Sequence, residues 1–226
     1  MKRLVSVFLT IILLISMVNS VSIATNSLED KTQNETIVTT EIVELTEEQY
    51  IELVVKHSKL SKEQVKSKLD MYEKETLDNN IMARFNSENI TPLGSGYSYI
   101  QAITTKDFSP NSTFSTKVEL GMAYTIYYSG SFRQINSIDA TWTGAAGSGL
   151  YEWNQYTLYT YPNSFPTSNA EAHARGAVET VIDTSLSGNL SIKNQLVGAG
   201  FDVTLQVGTK YYLRKIDNID MYIRSY

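Results

Sequence analysis

The sequence predicts a mainly β protein: an antiparallel β-sandwich of jelly-roll or immunoglobulin-like kind, preceded by a short two-helix segment. Three observations carry that prediction. All 12 glycines and all 4 prolines fall beyond residue 91, and because these residues punctuate turns, their one-sided distribution marks a boundary near residues 89–96. Upstream of it the apolar residues recur at helical spacing, and downstream the period drops to two. The downstream region also divides into strand-length runs separated by Gly, Ser and Asn turns, with no amphipathic helix between them, which favours packed antiparallel sheets over a parallel sheet with crossover helices.

Taken in order, the chain opens with Lys2 and Arg3, an apolar run from Leu4 to Val18 broken only by Ser6, Thr10 and Ser16, and the small-x-small triplet Ser22-Ile23-Ala24. This is the layout of a secretory signal peptide, and the run is shorter than the ~20 residues that span a bilayer. Residues 1–24 are therefore expected to be removed on export, and no later stretch approaches membrane-spanning length. Residues 25–44 are polar, threonine-rich and unpatterned, and predict a flexible leader. Residues 45–91 form a helical segment: Thr46…Gln49 and Ser61…Gln64 both have capping-box spacing, each ahead of helical periodicity, Tyr50/Leu53/Val54/His57 in the first helix and Val65/Leu69/Tyr72 in the second.

Residues 92–226 form the β-sandwich domain. Val118, Leu120, Met122, Tyr124, Ile126 and Tyr128 alternate with Lys117, Glu119, Gly121, Ala123, Thr125 and Tyr127, Ser129-Gly130-Ser131 turns the chain, and Ile138, Ala140 and Trp142 keep one face of the return strand. Further strands are expected at 97–105, 150–161, 170–186, 190–197, 200–208, 210–216 and 219–225. A bulge near Asn154-Gln155 is expected to align Tyr151, Trp153, Tyr156 and Leu158 inward and to leave Tyr159 and Tyr161 outside.

Composition excludes several function classes. The chain has no cysteine, which rules out disulfide scaffolds, thiolate metal sites, cysteine nucleophiles and lipidated N-terminal cysteines. Loss of Lys2 and Arg3 with the signal takes the net charge from −5 to −7, which disfavours nucleic acid and anionic lipid as partners. A long signal without disulfides suits the exterior of a Gram-positive bacterium. There, the protein is expected to be secreted, free or loosely wall-associated.

Chemistry-bearing groups are few. Of the two histidines, His57 belongs to the first helix. His173 sits in a run whose alternation puts Glu171, His173, Arg175 and Glu179 on one strand face; an acid/base or metal site built from Glu171, His173 and Glu179 competes there with an ordinary solvated face of mixed charge. Glu119, Asp139, Glu152, Glu171, Glu179 and Asp183 supply carboxylates for glycoside hydrolysis, but nothing in the sequence fixes two of them at the required separation. No nucleophile elbow, zinc-protease helix or phosphate loop is present, so no catalytic residue, metal or cofactor is predicted.

The aromatic residues give the leading expectation. The stretch GLYEWNQYTLYTYPNSFP, residues 149–166, holds six rings. Tyr127, Tyr159, Tyr161 and Phe165 are expected to project outward or to sit on loops, where flat rings with polar tips stack on apolar ligand faces. The expected function is non-catalytic binding at or outside the cell surface, with glycan or cell-wall polymer as partner. Two alternatives remain, a secreted hydrolase using the acidic/His site and a β-pore-forming protein whose insertion strand is Lys117–Tyr128, about the length of a bilayer-crossing strand.

Overall fold

The computed structural model describes residues 37–86, 95–111 and 114–225, with the backbone alone for 75–86. The expected signal peptide and residues 25–36 of the expected leader lie outside the described residues.

Eleven elements follow in chain order: β1 (Val38–Leu45), α1 (Glu47–His57), α2 (Lys62–Asn86), β2 (Ser95–Asp107), β3 (Lys117–Ser129), β4 (Phe132–Ala145), β5 (Tyr151–Tyr161), β6 (Asn169–Asp183), α3 (Asn189–Gly198), β7 (Asp202–Val207) and β8 (Lys210–Arg224). The strands build two antiparallel four-stranded sheets, ordered β1-β2-β3-β4 and β5-β6-β8-β7. The protein is thus a β-sandwich with a short helical segment. Its connectivity is simpler than a jelly roll or an immunoglobulin fold, both of which pass strands back and forth between sheets. Here the first four strands fill one sheet and the last four the other.

Alternation decides which face each side chain joins. Ile100, Ala102, Leu120, Met122, Tyr124 and Ile135 from the first sheet meet Ala170, Ala172, Ala174, Ile219, Met221 and Ile223 from the second in the central core. Each fully buried large apolar side chain contributes about 1.5–3 kcal/mol. At one end of the sandwich α3 closes the core, with Leu196 and Phe201 buried against Phe108, Val118, Val178, Ile182 and Leu213.

The opposite face of the first sheet is covered by α1 and α2. Both predicted capping boxes form: the Thr46 side chain accepts from Gln49 N while Gln49 Oε1 accepts from Thr46 N, and Ser61 and Gln64 exchange the same pair of bonds. Tyr50, Ile51, Val54, Val65 and Leu69 then bury against Ala123, Ala140 and Trp142. Gly121 is essential to this layer, since a Cβ there would lie 2.0 Å from the Trp142 ring. His57 stacks on Trp142 with ring centroids 4.1 Å apart and planes 16° apart. The layer is pinned by one carboxylate: Asp139, whose side chain is 2% exposed, pairs with Lys68 Nζ and accepts from Tyr50 Oη at 2.5 Å and Ser137 Oγ at 3.0 Å. β3 therefore lies between the helices on one side and the second sheet on the other.

Three strand expectations change. Val38–Leu45, expected as the end of the leader and the first residue of the helical segment, is β1 and pairs antiparallel with β2 from Val38↔Lys106 to Leu45↔Tyr99; as a largely exposed edge strand it carries no apolar alternation to announce it. Residues 190–197, expected as a strand, belong to α3, which starts after Gly188 at φ 84°. Residues 210–216 and 219–225 are one strand, because Asp217 at the intended break points inward and pairs with Lys106 of the first sheet at 3.0 Å.

Candidate functional site

Among the described residues, no helix packs on the outer face of the second sheet. Its rows follow from the register. Tyr159 lies opposite His173 and His173 opposite Asp220; one step along, Tyr161 lies opposite Glu171 and Glu171 opposite Tyr222. Because Ile219, Met221 and Ile223 go to the core, Asp220 and Tyr222 must point outward with Glu171 and His173. Directly opposed residues on one face have Cβ atoms about 4.5–5.5 Å apart, so six side chains form one contiguous patch. Tyr159, Tyr161 and Tyr222 are 59%, 62% and 66% exposed.

His173 is the centre of the patch. The Tyr159 ring stacks on it with centroids 5.1 Å apart, and Tyr222 meets it edge-on at 5.7 Å. Its Nδ1 lies 2.7 Å from Asp220 Oδ1 and its Nε2 3.0 Å from Glu171 Oε2. Neutral imidazole has a single N–H, so only the doubly protonated ring donates to both carboxylates. Partial burial pulls the His173 pKa down, but the hydrogen bonds and charges of Asp220 and Glu171 outweigh it and raise the pKa above its ordinary value. A ring that donates through both nitrogens is the protonated form, which the two carboxylates favour.

The bulge in β5 forms between Gln155 and Thr157. Tyr151 and Trp153 pack inward as expected, and Leu158 packs on the central core. Tyr156, however, is the extra residue and leaves the core, placing its ring 5.7 Å from the Arg214 guanidinium on the outer face. Near it the same face holds a cleft of about 620 Å³ lined by Leu150, Glu152, Glu179, Val181, Tyr212 and Arg214, among others.

The four aromatic residues expected as a binding surface do not come together. Tyr159 and Tyr161 share the open face. Tyr127 lies on the other side of the molecule, in a line of rings running from Tyr72 of α2 through Tyr97 and Tyr127 to Phe132, with centroid spacings of 5.6, 5.5 and 6.4 Å. Phe165, in the loop between β5 and β6, packs half-buried against the central core. Sequence reasoning missed Tyr222 and Asp220. Alternation along residues 219–225 was enough to turn them outward, but only the β6–β8 register places them beside His173.

Apart from one pair, Glu152 and Glu179, which face each other across β5 and β6, the acidic candidates are dispersed. Glu179 is six residues from His173 along β6, roughly 20 Å away in an extended strand, and it binds Arg214 Nε at 3.1 Å and Asn154 Nδ2 at 2.8 Å. Glu152 lies directly opposite Glu179. Asp139 is committed to the helix layer, and Asp183 accepts from Ser185 and Thr209. Among the described residues no group of three or more His, Asp or Glu side chains is arranged to hold a metal ion, and no helix is long and apolar enough to cross a membrane.

No family model matches the chain, and neither a curated protein nor a solved structure does.

Proposed function

We propose that the protein is a secreted, non-catalytic binding protein that takes a glycan, such as cell-wall polymer, on the outer face of its second sheet. The observation that carries this is the group of three solvent-exposed tyrosines, Tyr159, Tyr161 and Tyr222, around Glu171, His173 and Asp220, on a sheet face that no described helix covers. Tyrosines so exposed contribute little to folding, whereas flat rings beside carboxylates suit the two sides of a sugar: apolar C–H faces stack on the rings and hydroxyls donate to Glu171 and Asp220. The secretory character of residues 1–24 supplies the setting.

The test is co-sedimentation of the purified protein with insoluble peptidoglycan, chitin and cellulose, followed by calorimetry with soluble oligomers of whichever polymer binds. Tyr161→Ala and Tyr222→Ala are each expected to weaken binding by tenfold or more, about 1.4 kcal/mol. Binding that survives both substitutions together, or none to any of the three polymers, would refute the role.

A further inference from the structure

The tyrosine patch and the cleft lie on the same face of the same strands. Glu171 and Glu179 are separated by an even number of residues on β6, as are Tyr222 and Arg214 on β8, and the β6–β8 register is unbroken between them, so both pairs share the outer face. Eight residues of extended strand set the two places about 26 Å apart. They repeat one chemistry. The patch offers exposed tyrosines with Glu171, Asp220 and the imidazole of His173; the cleft offers Tyr212 and Tyr156 with Glu152, Glu179 and the guanidinium of Arg214. Arg175, Asn218 and Ile216, all exposed, fill the strip between them. Both signs of charge recur along its length: Glu171 and Asp220 flank His173, Arg175 follows, and Glu152 and Glu179 stand with Arg214.

From this repetition we infer that the ligand is one uncharged polysaccharide chain lying along β6 and β8, bound at the tyrosine patch and again in the cleft. A single sugar needs one such place, and a strongly charged polymer meets repulsion from one of the two signs wherever it lies. A chain of repeating units engages both, and the second contact becomes intramolecular, raising affinity without a new kind of contact. This inference rests on the glycan-binding role proposed for the patch and adds the cleft, the direction and the neutrality of the chain.

The experiment compares a disaccharide and an octasaccharide of β-1,4-linked N-acetylglucosamine, together with the de-N-acetylated, cationic octasaccharide and a polyuronate of matching length, by calorimetry on the full protein. The neutral octasaccharide is expected to bind at least tenfold more tightly than the disaccharide and more tightly than either charged chain. Long oligomers also gain affinity through the number of registers they offer a single site. Tyr212→Ala separates the two causes: a register effect survives it, while the gain from the cleft disappears. Glu152→Ala, at an exposed position, provides the same reading should Tyr212→Ala lower stability, and Tyr222→Ala is expected to weaken both oligomers. An octasaccharide gain that persists in both cleft variants overturns the inference and leaves the patch as a glycan site, as does tighter binding of a charged chain. Absence of binding by all four probes overturns the inference, and the glycan role falls with it when peptidoglycan, chitin and cellulose also fail to bind. A dimer in sedimentation that Tyr222→Ala converts to monomer would mean that a second copy covers the face, and would also overturn it.

Discussion

The two outer faces of the sandwich present similar residues and put them to different ends. On the first sheet, Tyr99, Trp142 and Asp139 lie beneath α1 and α2, where the rings pack on helix side chains and the carboxylate is saturated by Tyr50, Lys68 and Ser137. On the second sheet, tyrosines, a histidine and two carboxylates are solvent-exposed or half-buried and, among the described residues, contact one another. A strand face of rings and carboxylates becomes structural when something covers it and remains free to bind when nothing does. The difference is therefore one of cover rather than composition, which is why the aromatic content of residues 149–166 could not by itself distinguish a binding surface from a core.

The sharpest way to break this comparison is to remove one tyrosine from the helix layer and one from the open face. Tyr50 is fully buried and its hydroxyl is bonded to Asp139, so Tyr50→Ala is expected to cost about 3–5 kcal/mol. Tyr222→Ala, on the open face, is expected to stay within about 0.5 kcal/mol of the parent. Urea denaturation of both variants measures this directly. Similar losses at the two positions would show that the open face is structural after all, and would remove the main support for a binding surface there.

Next in size is the carboxylate that ties the helices down. Asp139→Ala leaves a partly buried ammonium and a buried phenol without their acceptor, and such groups are costly to strand. Because Lys68 can still turn toward solvent, its side chain being 39% exposed, the expected loss is about 2–3 kcal/mol. Adding Lys68→Met should recover part of it in a double-mutant cycle. Additive losses would mean that packing of Tyr50 and Val54, not the ion pair, holds the helices.

Both faces were partly legible in the sequence, for reasons that differ residue by residue. The capping boxes at Thr46 and Ser61 and the alternation of β3 depend on neighbours a few positions away, so they could be read locally. The bulge in β5 was readable because no unbroken alternation gave a clean apolar face, but its exact offset was not, and Tyr156 was placed on the wrong side. β1 escaped notice because an exposed edge strand needs no apolar face, and α3 because Leu190, Ile192 and Leu196 suit a short strand as readily as a helix. The composition of the candidate site was harder still. Tyr159, Tyr161, Glu171 and His173 could be turned outward from alternation, but Asp220 and Tyr222 join them through a pairing nearly fifty residues distant, which no local pattern encodes.

The smallest expected effect sharpens the comparison most cleanly, since each outer face holds one histidine and the two are perturbed in opposite directions. Burial against Trp142 lowers the His57 pKa, the Lys56 charge lowers it further, and Glu119 opposes both. His173, despite some burial, is raised by Asp220 and Glu171. For His57 the unfolded chain binds more protons than the folded one between the lowered value and the ordinary value, so its contribution is present at neutral pH and is lost on acidification through that window. For His173 the contribution is complete below the ordinary value and is lost as pH rises through the raised one. An NMR titration of the two imidazoles should therefore place His57 below His173. His57→Gln should narrow the stability lost on going from about pH 8 to about pH 5, whereas His173→Gln should narrow the stability lost in the other direction. If His173 titrates at or below His57, the two carboxylates do not hold it as an imidazolium, and the patch on the open face is arranged differently from the one described.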